Sequence, residues 1–211
     1  MINNTGQYFW EKAKKVIPGG NNLLSKRPEL FLPDYWPVYF HKSSGCHIWD
    51  LDDNKYVDMS MMSVGACSLG YANVYIDQKV KCAIDNGIMS SLNCKEEVLL
   101  AERLISLHPW AEMVRYARSG GEANAIAIRI ARAATGKDTV AICGYHGWHD
   151  WYLASNLSTK DNLDNHLLPG LAPNGVPKSL ANTVIPFEYN NYEQIKTIVE
   201  TNDLAAIKME V

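Results

Sequence analysis

The sequence predicts an α/β protein: a mainly parallel sheet with helices on both faces, preceded by an N-terminal arm and a small antiparallel hairpin. Two observations support this class. Short apolar runs such as residues 139–143 and 204–211 alternate with helical patterns, and this alternation is typical of parallel sheets covered by helices. Near the N-terminus, two runs with strand character flank residues 52–54, Asp-Asp-Asn, whose composition is typical of a tight turn.

The arm and the hairpin are predicted in the first 60 residues. An amphipathic helical pattern covers residues 8–16 and ends before Pro18 and two glycines, because proline and glycine interrupt helices. Further prolines in residues 21–37 predict an irregular arm. The strands of the hairpin are predicted at residues 38–41, 46–51 and 55–58.

Helices and strands alternate along the rest of the chain. Helices are predicted at residues 73–86, 95–108, 120–135 and 191–200, and strands at residues 113–118, 139–143, 183–187 and 204–211. Residues 59–70 are rich in Met and Ser, which fits either buried packing or contact with a substrate. Residues 157–182 predict a long loop, and such loops are often functional or mobile.

A helix that begins with Ser119, Gly120 and Gly121 directly follows a predicted strand. The free N–H groups and the dipole of a helix start attract phosphate, and glycines let a ligand approach the backbone. Capping without any ligand fits equally well, because Ser119 and Glu122 match a capping box. The apolar stripe of this helix is predicted to face the core and to comprise Ala123, Ile126, Ala127 and Ile130.

The next strand ends in an aromatic loop that begins at Gly144 and contains Tyr145, His146 and Gly147. An aromatic ring at the end of a neighbouring parallel strand can stack on a flat heteroaromatic ligand. Tyr145 and Trp148 also fit as plain core aromatics, and His146, His149 and Asp150 are conceivable metal ligands. We favour a phosphorylated, ring-shaped cofactor over a metal, because a metal would not explain the glycines and aromatics of the loop.

Several segments together resemble the class III aminotransferases that depend on pyridoxal 5′-phosphate. The resemblance rests on Ser119-Gly-Gly-Glu-Ala-Asn-Ala, on Gly144-Tyr-His-Gly and on the hairpin Gly45-Cys-His-Ile-Trp-Asp-Leu-Asp-Asp-Asn-Lys-Tyr-Val-Asp58. Within that family, the segment Val16-Ile-Pro-Gly-Gly-Asn21 is most similar to the glutamate-1-semialdehyde aminomutase branch. The resemblance implies the fold of type I pyridoxal-phosphate transferases. It divides the chain into residues 1–60, part of a small domain, and residues 61–211, the first half of the cofactor-binding large domain.

The resemblance also implies a set of site residues. It assigns the cofactor phosphate to Ser119, Gly120 and Gly121, and the cofactor ring to the loop of Tyr145, His146 and Gly147. Relatives usually carry Thr or Ser at the position of Gly121, so one hydroxyl donor to phosphate is missing here. They also usually carry Pro at the position of Val211.

Two residues are assigned to the substrate. Glu210 matches a glutamate at the edge of the active site. Arg27 lies where relatives bind a substrate carboxylate, and its planar guanidinium suits that role. The alternative for Arg27, a solvated basic turn, is the one that we favour from the sequence.

The chain is predicted to contain no catalytic residue of its own. In the resembling family, the lysine that forms the Schiff base and the aspartate that pairs with the pyridine nitrogen both lie on later strands. We therefore expect this chain to be the N-terminal half of an aminotransferase or aminomutase that acts on a small keto acid, semialdehyde or keto-sugar, and to be inactive alone. A non-catalytic binding remnant is the alternative. The full-length enzyme is expected to be a homodimer with small-molecule amino donors and acceptors.

Composition argues against several other classes. The net charge is −3, so the sequence has no basic patch for nucleic acid or for an anionic membrane. No run approaches the ~18 apolar residues of a membrane span, and the N-terminus does not resemble a signal peptide. The five cysteines form no Cys-x-x-Cys pair, which favours reduced thiols and a cytoplasmic location.

Overall fold

A computed structural model of the chain describes residues 5–60, 62–166 and 170–210. It contains two compact units, Met1–Asn93 and Cys94–Val211. The division into domains after residue 60 stays a prediction. Val211, where the resemblance expects Pro, lies outside the described residues, as does Met61 in the Met- and Ser-rich segment.

The first unit contains the predicted arm and hairpin. Helix α1 (Thr5–Val16) is followed by two short 3-10 turns, Leu24–Lys26 and Pro28–Leu30. Strands β1 (Phe40–Ser44), β2 (His47–Asp50) and β3 (Lys55–Val57) then form an antiparallel sheet in the order β1-β2-β3. Helix α2 (Val74–Asp85) is capped by Asn73, whose side chain accepts a hydrogen bond from the Ile76 N–H.

The carboxylate of Asp50 organises the tight turn of this hairpin. It accepts hydrogen bonds from the backbone N–H groups of Asp52 and Asn54 at 2.9 Å, and from the Tyr56 hydroxyl at 2.9 Å. Burial raises the pKa of Asp50, but the hydrogen bonds from Asn54 and Tyr56 outweigh it and lower that pKa overall. The turn at 52–54 is therefore specified by local side chains, as its composition predicts.

The second unit is built around a three-stranded parallel sheet in the order β5-β4-β6. Its helices are α3 (Lys95–Leu107), α4 (Gly120–Thr135), α5 (Asp150–Leu153), α6 (Ser155–Ser158) and α7 (Tyr192–Thr201), and its strands are β4 (Thr139–Cys143), β5 (Val184–Pro186) and β6 (Leu204–Met209). In the described residues, no helix combines the length and the apolar character that crossing a bilayer requires.

Strand β4 lies at the centre of the sheet and buries both of its faces. Val140 and Ile142 pack with Ile128 of α4 on one face. Ala141 and Cys143 pack with Ile198 of α7 on the other face. Because successive side chains of a strand point to opposite faces, this alternation places helices on both sides. The predicted α/β class with a parallel sheet is confirmed.

Residues 113–118 do not form the predicted strand. A strand needs the backbone groups of a neighbour, and no strand of the described residues pairs with this segment. Residues 157–182 also differ from a plain loop, because Leu163 and Val176 are buried in the core. The backbone there makes 3-10 turns at Asp164–His166 and Lys178–Leu180, while residues 167–169 lie outside the described part.

The predicted core face of α4 is wrong for Ala123, Ala127 and Ile130, while Ile126 is half-buried. Ile128 is the buried residue of this helix, whereas Ile130 is 57% exposed and Ala123 and Ala127 are exposed as well. The helix is apolar on more than one side, so periodicity alone does not single out one face. Contacts made far along the chain decide the orientation, among them the hydrogen bond from the Asn124 amide to the His146 carbonyl at 3.0 Å.

Candidate functional site

The first turn of α4 combines a side-chain cap with unpaired backbone donors. Ser119 is the N-cap, and its Oγ accepts a hydrogen bond from the Glu122 N–H at 3.3 Å. The Glu122 carboxylate accepts from the Arg118 N–H at 2.8 Å. Within the described part of the chain, the N–H groups of Gly120 and Gly121 have no hydrogen-bond partner. Capping and an anion site are therefore compatible, because the cap uses a different N–H group.

The aromatic loop lies directly against this helix start. A Cβ on Gly147 would be 3.1 Å from the Cα of Gly121, and Gly147 has a φ of +105°. A Cβ on Gly121 would be 2.7 Å from Cε1 and 2.8 Å from Nδ1 of His149. Gly147 is thus needed for the close approach of the two backbone segments, and the imidazole of His149 fills the space beside Gly121.

His146 holds the loop in place from inside the unit. His146 is 4% exposed, and its Nε2 donates a hydrogen bond to the Cys143 carbonyl at 2.8 Å. Its ring stacks on Trp151 with centroids 6.5 Å apart. Burial, with a smaller contribution from Lys208, lowers the pKa of His146. The neutral imidazole therefore bonds to the backbone and packs on aromatic rings.

Tyr145 is half-buried at the carboxyl end of β4. Its ring meets Tyr152 edge to face, with centroids 5.8 Å apart and an interplanar angle of 82°. The Tyr152 hydroxyl donates to the Gly144 carbonyl at 3.0 Å. Burial raises the pKa of Tyr145 above its ordinary value. An aromatic edge contact of this kind restrains the ring and leaves a face for other partners.

Glu210 joins the end of β6 to the aromatic loop. Its N–H donates to the Cys143 carbonyl at 3.0 Å, and its Oε2 accepts from the Tyr145 N–H at 3.2 Å. A Cβ on Gly144, whose φ is +95°, would be 2.7 Å from the Cβ of Glu210. Burial, with a smaller contribution from the charge of Glu210, raises the pKa of the Cys143 thiol. Glu210 is therefore engaged with the loop backbone.

Two open clefts adjoin these residues. One, of about 470 Å³, lies at the start of α4 and is lined by residues that include Arg118, Glu122 and His149. The other, of about 560 Å³, lies at the carboxyl ends of the strands, with Glu210 and His166 in its lining. Nδ1 of His166 accepts a hydrogen bond from the Gly144 N–H at 3.0 Å, and burial lowers the pKa of His166. Carboxyl ends of parallel strands are the usual location of ligand sites in such sheets.

The structure brings together those predicted site residues that belong to the second unit. Seven lie in the second unit and are connected by the contacts above: Ser119, Gly120, Gly121, Tyr145, His146, Gly147 and Glu210. Arg27 belongs to the first unit, where it precedes the 3-10 turn Pro28–Leu30. Its Nε is buried and has no hydrogen-bond partner within the described residues.

Three residues of this arrangement have no role in cofactor binding that the sequence predicts. Asn124 ties α4 to the loop, Gly144 makes room for Glu210, and His149 lies beside Gly121. The sequence contained a signal only for Gly144, since a glycine directly after a strand often marks a sharp turn. From the sequence, His149 is a candidate only as a metal ligand. The described residues contain no group of three or more His, Cys, Asp or Glu that could hold a metal ion.

Comparison with known proteins gives a consistent result. The family described as "Aminotransferase class-III" matches residues 33–210. A 3-aminobutyryl-CoA aminotransferase of Cloacimonas acidaminovorans is 34% identical over 202 residues, which cover 94% of this chain and 44% of the relative. A glutamate-1-semialdehyde 2,1-aminomutase of Methanothrix thermoacetophila is 32% identical over 215 residues, covering 98% of this chain and 46% of the relative.

A solved structure supports the same relationship. An omega-transaminase from Sphaerobacter thermophilus superposes with a TM-score of 0.81 at 26% identity, covering 99% of this chain and 48% of the other. The chain thus spans about half the length of the relatives that it matches.

Proposed function

Since this chain belongs to the class-III aminotransferase family, we propose that it is the N-terminal part of a pyridoxal-5′-phosphate-dependent aminotransferase or aminomutase. The reaction moves an amino group to or within a small keto acid, semialdehyde or keto-sugar. One observation carries the proposal: the unpaired N–H groups of Gly120 and Gly121 lie beside the aromatic loop, through the close approach of Gly121 and Gly147. The named relatives include an aminotransferase and an aminomutase, and the proposal covers both.

The start of α4 suits the phosphate of this cofactor. The two unpaired N–H groups point outward from a helix start, where the dipole adds partial positive charge. The Ser119 hydroxyl accepts its hydrogen bond from Glu122, so its own hydrogen is free to donate to a phosphate oxygen. Gly120 leaves room for the anion, because a Cβ there would meet nothing within 4 Å.

Tyr145 is the proposed platform for the cofactor ring. Its ring is held from one side by Tyr152, and its backbone N–H is held by Glu210. His146 contributes through its carbonyl, which accepts from Asn124, and through its buried ring. In this proposal His146 and Gly147 shape the loop, while Tyr145 makes the ring contact.

When bound, pyridoxal 5′-phosphate supplies a reactive carbonyl for the amino group and an electron-withdrawing ring. The residues of this chain bind the phosphate, orient the ring and fix the loop. We assign the substrate carboxylate to Arg27, supported by its buried Nε, which has no hydrogen-bond partner among the described residues; this is unusual for so strong a donor. Glu210 borders the strand-end cleft, where it can orient a substrate through the loop that it holds.

A single-residue exchange tests the phosphate site. Gly120→Pro removes one N–H donor at the first helical position, where proline is well tolerated. Ser119 already has the extended backbone, φ −142° and ψ 161°, that a following proline requires. We expect Gly120→Pro to weaken binding of pyridoxal 5′-phosphate about tenfold or more, with binding of unphosphorylated pyridoxal unchanged. Binding is followed by the quenching of tryptophan fluorescence.

The matched control is Gly120→Ala, which keeps the N–H group and places its Cβ in open space. It is expected to bind pyridoxal 5′-phosphate as the parent chain does. Equal affinity of the proline and alanine variants would show that the helix start is only capped, and that it does not bind phosphate.

Two further parts of the proposal concern the whole enzyme. We expect a homodimer that uses small-molecule amino donors and acceptors, to be checked by light scattering of the full-length protein. We expect no turnover by the 211 residues alone, because the resemblance matches none of their lysines to the Schiff-base lysine. Borohydride trapping of cofactor on one lysine of this chain, together with turnover, would contradict that expectation. Full-length protein that binds cofactor without turnover would favour the binding remnant.

A further inference from the structure

We propose that His149 is a phosphate-binding residue, and that its Nδ1–H donates to the cofactor phosphate at the start of α4. The inference rests on the proposed function, and it adds a side-chain donor that the resemblance does not supply. It depends on two independent observations. The imidazole occupies the space beside Gly121, and its Nδ1 is buried without a hydrogen-bond partner within the described residues.

The position of the imidazole comes first. Its Nδ1–Cε1 edge lies 2.7–2.8 Å from where a Cβ on Gly121 would be, while Nε2 is farther away, at 3.9 Å. Any side chain at residue 121 would therefore collide with His149. Residue 121, the second residue of α4, has no side chain, and the edge of the imidazole occupies the space that a side chain there would fill.

The state of Nδ1 is the second observation. A ring nitrogen that is buried without a partner is costly, whether it carries a hydrogen or a lone pair. Beside the imidazole lies the start of α4 at Gly121, where the N–H groups of Gly120 and Gly121 have no partner within the described residues; these groups are donors only. An acceptor anion that receives hydrogen bonds from both N–H groups would also satisfy a protonated Nδ1. A phosphate offers three acceptor oxygens for such a set of donors.

A purely structural role for the side chain of His149 has little support in its other contacts. His149 is the N-cap of α5, yet its side chain makes no capping hydrogen bond. Its backbone carbonyl alone accepts from the N–H groups of Tyr152 and Leu153. By contrast, the N-caps Asn73 and Asn191 both use their side chains. The imidazole of His149 also stacks on Trp148, which is 70% exposed.

The test compares three variants with the parent chain: His149→Ala, Gly121→Ser and the double variant. Each is titrated with pyridoxal 5′-phosphate and, separately, with unphosphorylated pyridoxal. We expect His149→Ala to weaken binding of the phosphorylated ligand about 10- to 100-fold and to leave pyridoxal binding unchanged. Gly121→Ser should weaken binding of pyridoxal 5′-phosphate and leave binding of pyridoxal unchanged, because the Cβ of the serine displaces the imidazole. In the double variant the serine hydroxyl has room, so affinity should partly return.

Controls separate this inference from misfolding and from the proposed function. His108→Ala removes an exposed histidine of the same unit and should bind like the parent chain. Circular dichroism checks folding, and His149→Gln keeps a donor in case the alanine variant does not fold. Unchanged affinity of His149→Ala, or an equal loss for both ligands, would overturn the role of His149 alone. A parent chain that binds neither ligand would overturn the proposed function, and this inference with it.

Discussion

A Cβ on Gly147 would lie 3.1 Å from the Cα of Gly121, so the aromatic loop and the start of α4 meet backbone to backbone. This contact places the loop that follows β4 against the first turn of α4, the helix that precedes β4 in the chain. It brings the donors of the helix start next to the loop that carries Tyr145. The proposed site therefore depends on the contact between Gly121 and Gly147.

Gly147→Ala is expected to destabilise the second unit. Its φ of +105° is unfavourable for a residue with a side chain, and the new Cβ would press on Gly121. We expect a loss of about 1–3 kcal/mol in the free energy of unfolding, measured by urea denaturation. Gly120→Ala is the control, since its Cβ meets nothing. If both alanine variants unfold at the same urea concentration, the close approach is not a constraint.

Gly144 and Glu210 should be energetically coupled. Gly144→Ala would place a Cβ 2.7 Å from the Cβ of Glu210, at a φ of +95°. Glu210→Gly removes that obstacle but also the acceptor of the Tyr145 N–H. In a double-mutant cycle of unfolding free energies, we expect the double variant to be less destabilised than the sum, by about 0.5–3 kcal/mol. Strict additivity would mean that the two side chains do not share this space.

The hydrogen bond between Tyr71 and Asp58 in the first unit should delay the ionisation of Tyr71 in an alkaline titration of the protein. The Tyr71 hydroxyl donates to Asp58 at 2.6 Å, and this bond, followed by burial, raises the pKa of Tyr71 to about 12. Because the pKa of Tyr71 is higher in the folded state, this bond contributes its full stability at pH values below 10.0, the ordinary pKa of tyrosine. That stability is lost as the pH rises through about 12.

Phenolate absorbance measures this directly. Tyr71→Phe should remove the phenolate signal that appears near pH 12. Asp58→Asn should move the ionisation of Tyr71 to lower pH, because the hydroxyl then donates to a neutral amide and the carboxylate charge is gone. Asp85→Asn, which changes an exposed carboxylate of the same unit, should leave the titration as it is. An unchanged curve for Asp58→Asn would contradict the assigned cause.

Much of the local structure could be predicted because its signals are local. Helix α4 begins after Ser119 and ends before Gly136, which has a left-handed φ of +69°. These are the N-cap and the glycine stop that the sequence indicates. The centre of the sheet at residues 139–143 followed from an apolar run, and its burial on both faces agrees with that run. Backbone conformation at such points depends on a few adjacent residues.

The sequence by itself determined the α/β class, the hairpin turn, the helix start at Ser119 and the neighbouring aromatic loop. Only the tertiary structure decided which face of α4 is buried, that residues 113–118 pair with no described strand, and that His149 fills the space beside Gly121. The physical reason is the range of the interactions. Caps, turns and periodicity act over a few residues, whereas packing and hydrogen bonds such as Asn124 to His146 join distant segments.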